Sequence, residues 1–109
     1  MTEPLKKTVA ACESQPVTAE GLRCLISQSP DLEFLGVMDS PEAVLRFLSI
    51  HSPAVLILDK AFGAQALFET MDALQGRHPP AAAVVWGISV TESEALRFLQ
   101  AGARGILRK

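Results

Sequence analysis

Of the 109 residues none is tyrosine, two are cysteine, and aromatic side chains make up only 6%. Each shortage excludes something. Two cysteines, Cys12 and Cys24, are too few for the bridged framework of a small secreted domain or for a cysteine-rich metal cluster. A reducing cytoplasm is therefore the expected home. No apolar run approaches the length of a membrane span, and Met1 to Lys7 lacks the apolar segment of a signal peptide. No membrane partner is expected. The basic residues are scattered and the formal net charge is -2. A nucleic-acid surface needs clustered lysine and arginine, so none is expected either. Repeats and low-complexity tracts are also missing. What is there is 49% hydrophobic and 20% charged, the balance of one globular domain over residues 1–109, with 1–7 as a flexible lead-in.

The chain is organised around Ala54-Val55-Leu56-Ile57-Leu58-Asp59. Five apolar residues opened by Pro53 and closed by one carboxylate read as a strand buried on both faces. A charge is costly to bury, so Asp59 is expected where the strand leaves the core. Thr8–Cys12, Leu32–Met38, Ala82–Ile88 and Gly105–Leu107 read as four further strands. Between them lie helical spacings. The first runs from Val17 to Gln28, with Val17, Leu22, Leu25 and Ile26 apolar. Ser40-Pro41-Glu42 supplies a hydroxyl cap, a first-position proline and a first-turn acid for the second. Its apolar residues are Val44, Leu45, Phe47 and Leu48. The third covers Ala66–Gln75. The fourth covers Glu92–Ala101, opened by a Thr91/Glu94 capping box and closed by Gly102.

Strict β-α alternation with short connections predicts a doubly wound α/β domain. Its five parallel strands are joined by right-handed crossovers. At this size the common strand order is 2-1-3-4-5. That order brings Glu13, after strand 1, beside Asp59, after strand 3, with Lys109 rising from strand 5. Carboxylates suit a hard divalent cation, and an ammonium suits a phosphoryl group. A partly exposed ion-pair cluster without function is the competing reading.

Three stretches carry a family resemblance: Pro16 to Leu22, Pro53 to Asp59, and the closing Leu96-Arg97-Phe98-Leu99-Gln100-Ala101-Gly102-Ala103-Arg104-Gly105-Ile106-Leu107-Arg108-Lys109. With these the chain resembles a response-regulator receiver domain of the NarL/LuxR type, from about Val9 to Lys109. The resemblance implies a flavodoxin-like fold and a two-component signalling role. It implies that Asp59 is the phosphoacceptor, that Lys109 contacts the phosphoryl group, and that Glu13, Asp59 and the Ala61 carbonyl hold Mg2+. The chain also departs from the family. Ser14 stands where the second acid of the pair is expected. Gly87 stands at the hydroxyl switch position, Ile106 at the aromatic one, and Gly63 where a proline is expected. One lost carboxylate implies weak or absent magnesium binding. Two lost switch side chains leave no evident lever for phosphate.

Two functional classes follow. One is a working acceptor that takes a phosphoryl group from a histidine kinase. The other is a phosphorylation-independent interaction module on the same fold, for a kinase or another signalling protein. A flavodoxin-like enzyme is disfavoured, because the loop from Glu13 to Gly21 has no glycine-rich phosphate pattern. Catalytic turnover is not expected. The fifth helix and the DNA-binding domain that accompany many such receivers are not in the sequence. One sheet face is thus left to helix 1, with Val9, Ile57, Val85 or Leu107 partly bare depending on register. Self-association as a homodimer, or a place within a longer protein, is the expectation. Cys12 and Trp86 read as core residues, and His51 and His78 as exposed.

Overall fold

The computed structural model describes residues 6–77 and 80–109. His78 lies outside them, as does most of the expected lead-in. Lys7 does not; it is the first residue of β1. The elements run β1 (Lys7–Cys12), α1 (Pro16–Ser27), β2 (Leu32–Met38), α2 (Pro41–Leu48), β3 (Val55–Asp59), a 3-10 turn (Lys60–Phe62), α3 (Ala64–Gln75), β4 (Ala82–Gly87), α4 (Glu92–Gln100) and β5 (Gly105–Arg108). The sheet has the expected order, β2-β1-β3-β4-β5, and every pair is parallel.

Local chemistry explains most boundaries. Ser40 caps α2 through Ala43 N–H at 3.2 Å, and Pro41 opens the helix where its missing N–H is no loss. Thr91 and Glu94 form the expected reciprocal capping box at α4. Gly102 follows that helix at φ +111°, the left-handed position that glycine fills without strain. α3 begins two residues earlier than its apolar pattern, because the 3-10 turn after Asp59 ends on Gly63 at φ +97°. A proline, locked near φ −65°, could not stand there.

Two apolar layers flank the sheet. The larger packs Val44, Leu48, Leu67, Met71, Leu74 and Phe98 of α2, α3 and α4 onto Leu56, Leu58 and Val85. The smaller packs Leu22 and Ile26 of α1 onto Val9, Ala11 and Ile57. Val9, Ile57 and Val85 are therefore buried, contrary to the expectation of a bare sheet. Among the described residues the far strip on the α1 side is the more open part: Leu107 is 51% exposed, and Val84 and Trp86 are half-buried. Val17 and Leu25 are also not core residues. Two of the four apolar positions of α1, Leu22 and Ile26, meet the sheet, while Val17 at 86% and Leu25 at 69% face solvent. Leu45 of α2 is likewise exposed, because Val44 and Leu48 take the buried stripe.

Candidate functional site

Strand parity builds the site. Side chains two residues apart share a sheet face. Residues paired across parallel strands do so too: Ile57 pairs with Val84, Asp59 with Trp86, and Trp86 with Leu107. Continuing each strand by the same step places Glu13, Asp59 and Lys109 on the α1 side of the C-terminal edge. Edge and face are thus both set by strand order and alternation.

There the three charges meet. Lys109 Nζ lies 3.0 Å from Glu13 Oε2 and 3.1 Å from Asp59 Oδ2. The carboxylates are almost wholly buried, Glu13 at 2% and Asp59 at 1% exposed. This is deeper than the strand-exit position expected for Asp59. Burial is tolerated because three of the four carboxylate oxygens are served. Asp59 Oδ1 accepts from Ala61 N–H at 2.9 Å. Asp59 Oδ2 accepts from Ser14 N–H at 3.0 Å and also from the Ser14 hydroxyl. Glu13 Oε2 accepts from Gln15 N–H at 2.9 Å. Burial pushes the Asp59 carboxyl up, but the hydrogen bonds from Ser14, Ala61 and Lys109 outweigh it, and the pKa falls to about 2. Asp59 is an ionised carboxylate at neutral pH. With one ammonium against two carboxylates, the cluster carries one negative charge in excess.

One oxygen remains unserved. Among the described residues the buried Glu13 Oε1 has no hydrogen-bond partner, and neither has the indole Nε1 of Trp86. Trp86 is half-buried rather than core, and its ring lies 5.2 Å from Lys109 Nζ. An indole face attracts a cation at this distance. Lys109 is therefore seated on Trp86 on one side and on two carboxylates on the other.

A cavity of about 200 Å3 opens beside Asp59, lined by Ser14, Gln15, Lys60, Ala61, Gly87, Ile88, Ser89 and Lys109. Of the positions singled out in the sequence, Ser14, Glu13, Asp59, Ala61 and Lys109 gather here, and Gly87 lines the cavity. Ile106 does not; it packs into the larger apolar layer on the opposite sheet face. Lys60 belongs to no motif of the sequence, yet it lines the cavity. Its aliphatic stem covers Gly87, so that a Cβ added there would lie 3.1 Å from Lys60 Cβ. Its ammonium reaches Glu94 Oε1 at 2.8 Å and the Ser89 carbonyl. Adjacency to Asp59 was the only sequence signal.

The other candidates fall away. Cys12 is buried, and burial first, then the negative charge of Asp59 and other carboxylates, pushes its thiol up to about 12. It stays protonated and inert. His51 is exposed and stacks on Phe47 with ring centroids 4.4 Å apart. Among the described residues no group of three or more histidine, cysteine, aspartate or glutamate side chains is placed to hold a metal. No helix of the described residues is long and apolar enough to cross a membrane.

Known proteins share the fold. No family model matches the chain. The nitrate/nitrite response regulator NarL of Escherichia coli K12 is 26% identical over 102 residues, 94% of this chain and 47% of that one. The chain thus spans about half the length of this curated relative. Among solved structures, the signal receiver domain of NarL from Mycobacterium tuberculosis superposes with a TM-score of 0.85 at 24% identity, covering 96% of this chain and 85% of that one. A LuxR-family regulator from Aurantimonas gives 0.84 at 18%, covering 95% and 74%. The Mn(2+)-bound form of response regulator Rcp1 gives 0.76 at 16%, covering 94% and 81%. Fold and sequence likeness together place this chain beside response-regulator receiver domains, to which it is similar over nearly its whole length. The sequence likeness is to NarL, and the structural likeness extends to a LuxR-family regulator.

Proposed function

We propose that this receiver accepts a phosphoryl group on Asp59 from a phosphohistidine of a partner kinase. The observation that carries the reading is the Asp59 carboxylate, ionised and fixed by Ser14 and Ala61, beside a cavity that Lys109 also lines. In the transfer, a carboxylate oxygen forms the new P–O bond as the P–N bond of the donor breaks, leaving an acyl phosphate. Lys109 neutralises the added charge. The chain acts as a recipient and signalling partner in the cytoplasm and has no turnover of its own.

The donor set suits a divalent cation only in part. Glu13 Oε1 is a buried oxygen that a cation would satisfy. Against this, Lys109 already lies between the carboxylates, and Ser14 adds a donor hydroxyl instead of a charge. Glu13, Asp59 and the Ala61 carbonyl would hold Mg2+, weakly, and the cation would shield the incoming phosphoryl oxygens.

A second reading, a docking module indifferent to phosphorylation, is favoured by Gly87 and Ile106. Neither side chain can hydrogen-bond a phosphoryl group. Incubation with acetyl phosphate and magnesium, read by intact mass, separates the two. The acceptor reading expects one added phosphoryl group, absent from Asp59→Asn. No mass gain at all favours the docking module, and a gain that survives Asp59→Asn removes Asp59 as the acceptor.

A further inference from the structure

The β4–α4 connection is held by a side chain from outside it. Lys60 follows Asp59 directly and opens the 3-10 turn. Its stem lies against Gly87, the last residue of β4. Its ammonium then donates to the Ser89 carbonyl and to Glu94 Oε1. Glu94 is not a free rotor. The same oxygen accepts Thr91 N–H at 2.9 Å, while Thr91 Oγ1 accepts Glu94 N–H at 3.2 Å. The Lys60 bridge first, then the Thr91 backbone bond, bring the Glu94 carboxyl down to about 2.

We infer that Lys60 is a positioning residue. It ties the connection 88–91 and the first turn of α4 to the strand end that carries Asp59, and holds them in one arrangement whatever the charge on Asp59. A single exposed ion pair contributes little, because ordering two long side chains offsets the attraction. Here that cost is reduced on both sides. The capping box already orders Glu94, and the absence of a side chain at Gly87 gives the Lys60 stem a flat bed. The ammonium also has two acceptors, one on the loop and one on the helix. The effect is therefore local stiffness rather than global stability. A ligand shifts a conformational equilibrium only by its differential affinity for the two states. A strut that bypasses the acceptor stabilises one state without reference to phosphate. In its second arm below, the inference rests on the phosphoacceptor reading; in its first it does not.

The first arm is amide hydrogen exchange on the full chain without ligand. Lys60→Met keeps the stem and removes the charge. It is expected to raise exchange several-fold in residues 89–94 and leave β1 and β3 unchanged, while Lys60→Arg keeps protection near the unmodified level. Equal exchange in Lys60→Met and the unmodified chain overturns the strut. So does loss of protection in Lys60→Arg as large as in Lys60→Met. The second arm adds beryllofluoride and magnesium, with binding read by fluorine resonance. Bound beryllofluoride is expected to move few α4 amides in the unmodified chain and many in Lys60→Ala/Gly87→Thr, where a hydroxyl has room. Equally large α4 shifts in the unmodified chain overturn the strut. Absence of a bound fluorine signal speaks against the acceptor reading, and the exchange arm still decides the strut.

Discussion

Lys109 and Glu13 stand 96 residues apart in the chain and 3.0 Å apart at the sheet edge, with the lysine side chain 11% exposed and the glutamate side chain fully buried. Such a pair is retained at a cost. Replacing both partners is often harmless, but removing one leaves a buried charge uncompensated. Lys109→Met should lower the unfolding free energy by ~3 kcal/mol at neutral pH. The loss should be smaller at about pH 2, where Asp59, which Lys109 helps to keep ionised, takes up its proton. Urea denaturation at the two pH values checks this. An equal loss at both would assign the effect to packing on Trp86 instead.

Ser14 should govern the acid limb of the stability curve. The folded pKa of Asp59 is depressed from 3.8 to about 2. Its contribution is therefore complete above about 3.8 and disappears as pH falls through about 2, amounting to about 2 kcal/mol. Ser14→Ala removes the hydroxyl donor and raises this pKa. It should cost about 1–3 kcal/mol at neutral pH, and the gap to the unmodified chain should close toward pH 2 or so. Denaturation midpoints followed across that range are the measurement. A gap that stays constant would mean the Ser14 hydroxyl does not act on Asp59.

Magnesium affinity should rise when charge is restored at position 14. Ser14→Asp is expected to tighten binding about tenfold or more, since cation affinity follows the number of ligand charges. Trp86 reports on the event because Lys109 lies over its ring and must adjust. A fluorescence titration suffices, and tight binding by the unmodified chain would show that Glu13 and Asp59 alone are enough.

The cysteines should differ in reactivity. Cys12 is buried, with its thiol pushed to about 12, whereas Cys24 is exposed on α1. Iodoacetamide on the native chain should add one label, on Cys24, with Cys12 labelled only after unfolding. Peptide mass mapping reads the outcome, and rapid native labelling of Cys12 would indicate opening of the β1 edge.

Self-association should run through the open strip of Leu107, Trp86 and Val84, or through Ile88, Leu96 and Leu99 around α4. Covering ~300 Å2 of apolar surface stabilises a contact by several kcal/mol before the association cost. Light scattering over a concentration series should show dimers. Leu107→Lys should weaken them if the strip is used, and Leu96→Lys if α4 is used. A monomer at every concentration would remove the homodimer from the reading.

Fold class was legible in alternation, capping residues and short buried strands, which are local properties. Strand order followed from the topology common to domains of this size, and the meeting of Glu13, Asp59 and Lys109 followed from that order. Burial was less legible. Val17 and Leu25 satisfy a helical spacing yet face solvent, because spacing says which residues share a stripe and not whether the sheet extends beneath it. Trp86 looked like core and proved to be the seat of a buried ammonium. That Gly87 is covered by the stem of Lys60, and that Lys60 reaches Glu94 34 residues on, no spacing could announce. Both relations cross from one strand end to the next connection, and side-chain reach between neighbouring strands exists only once the sheet has formed.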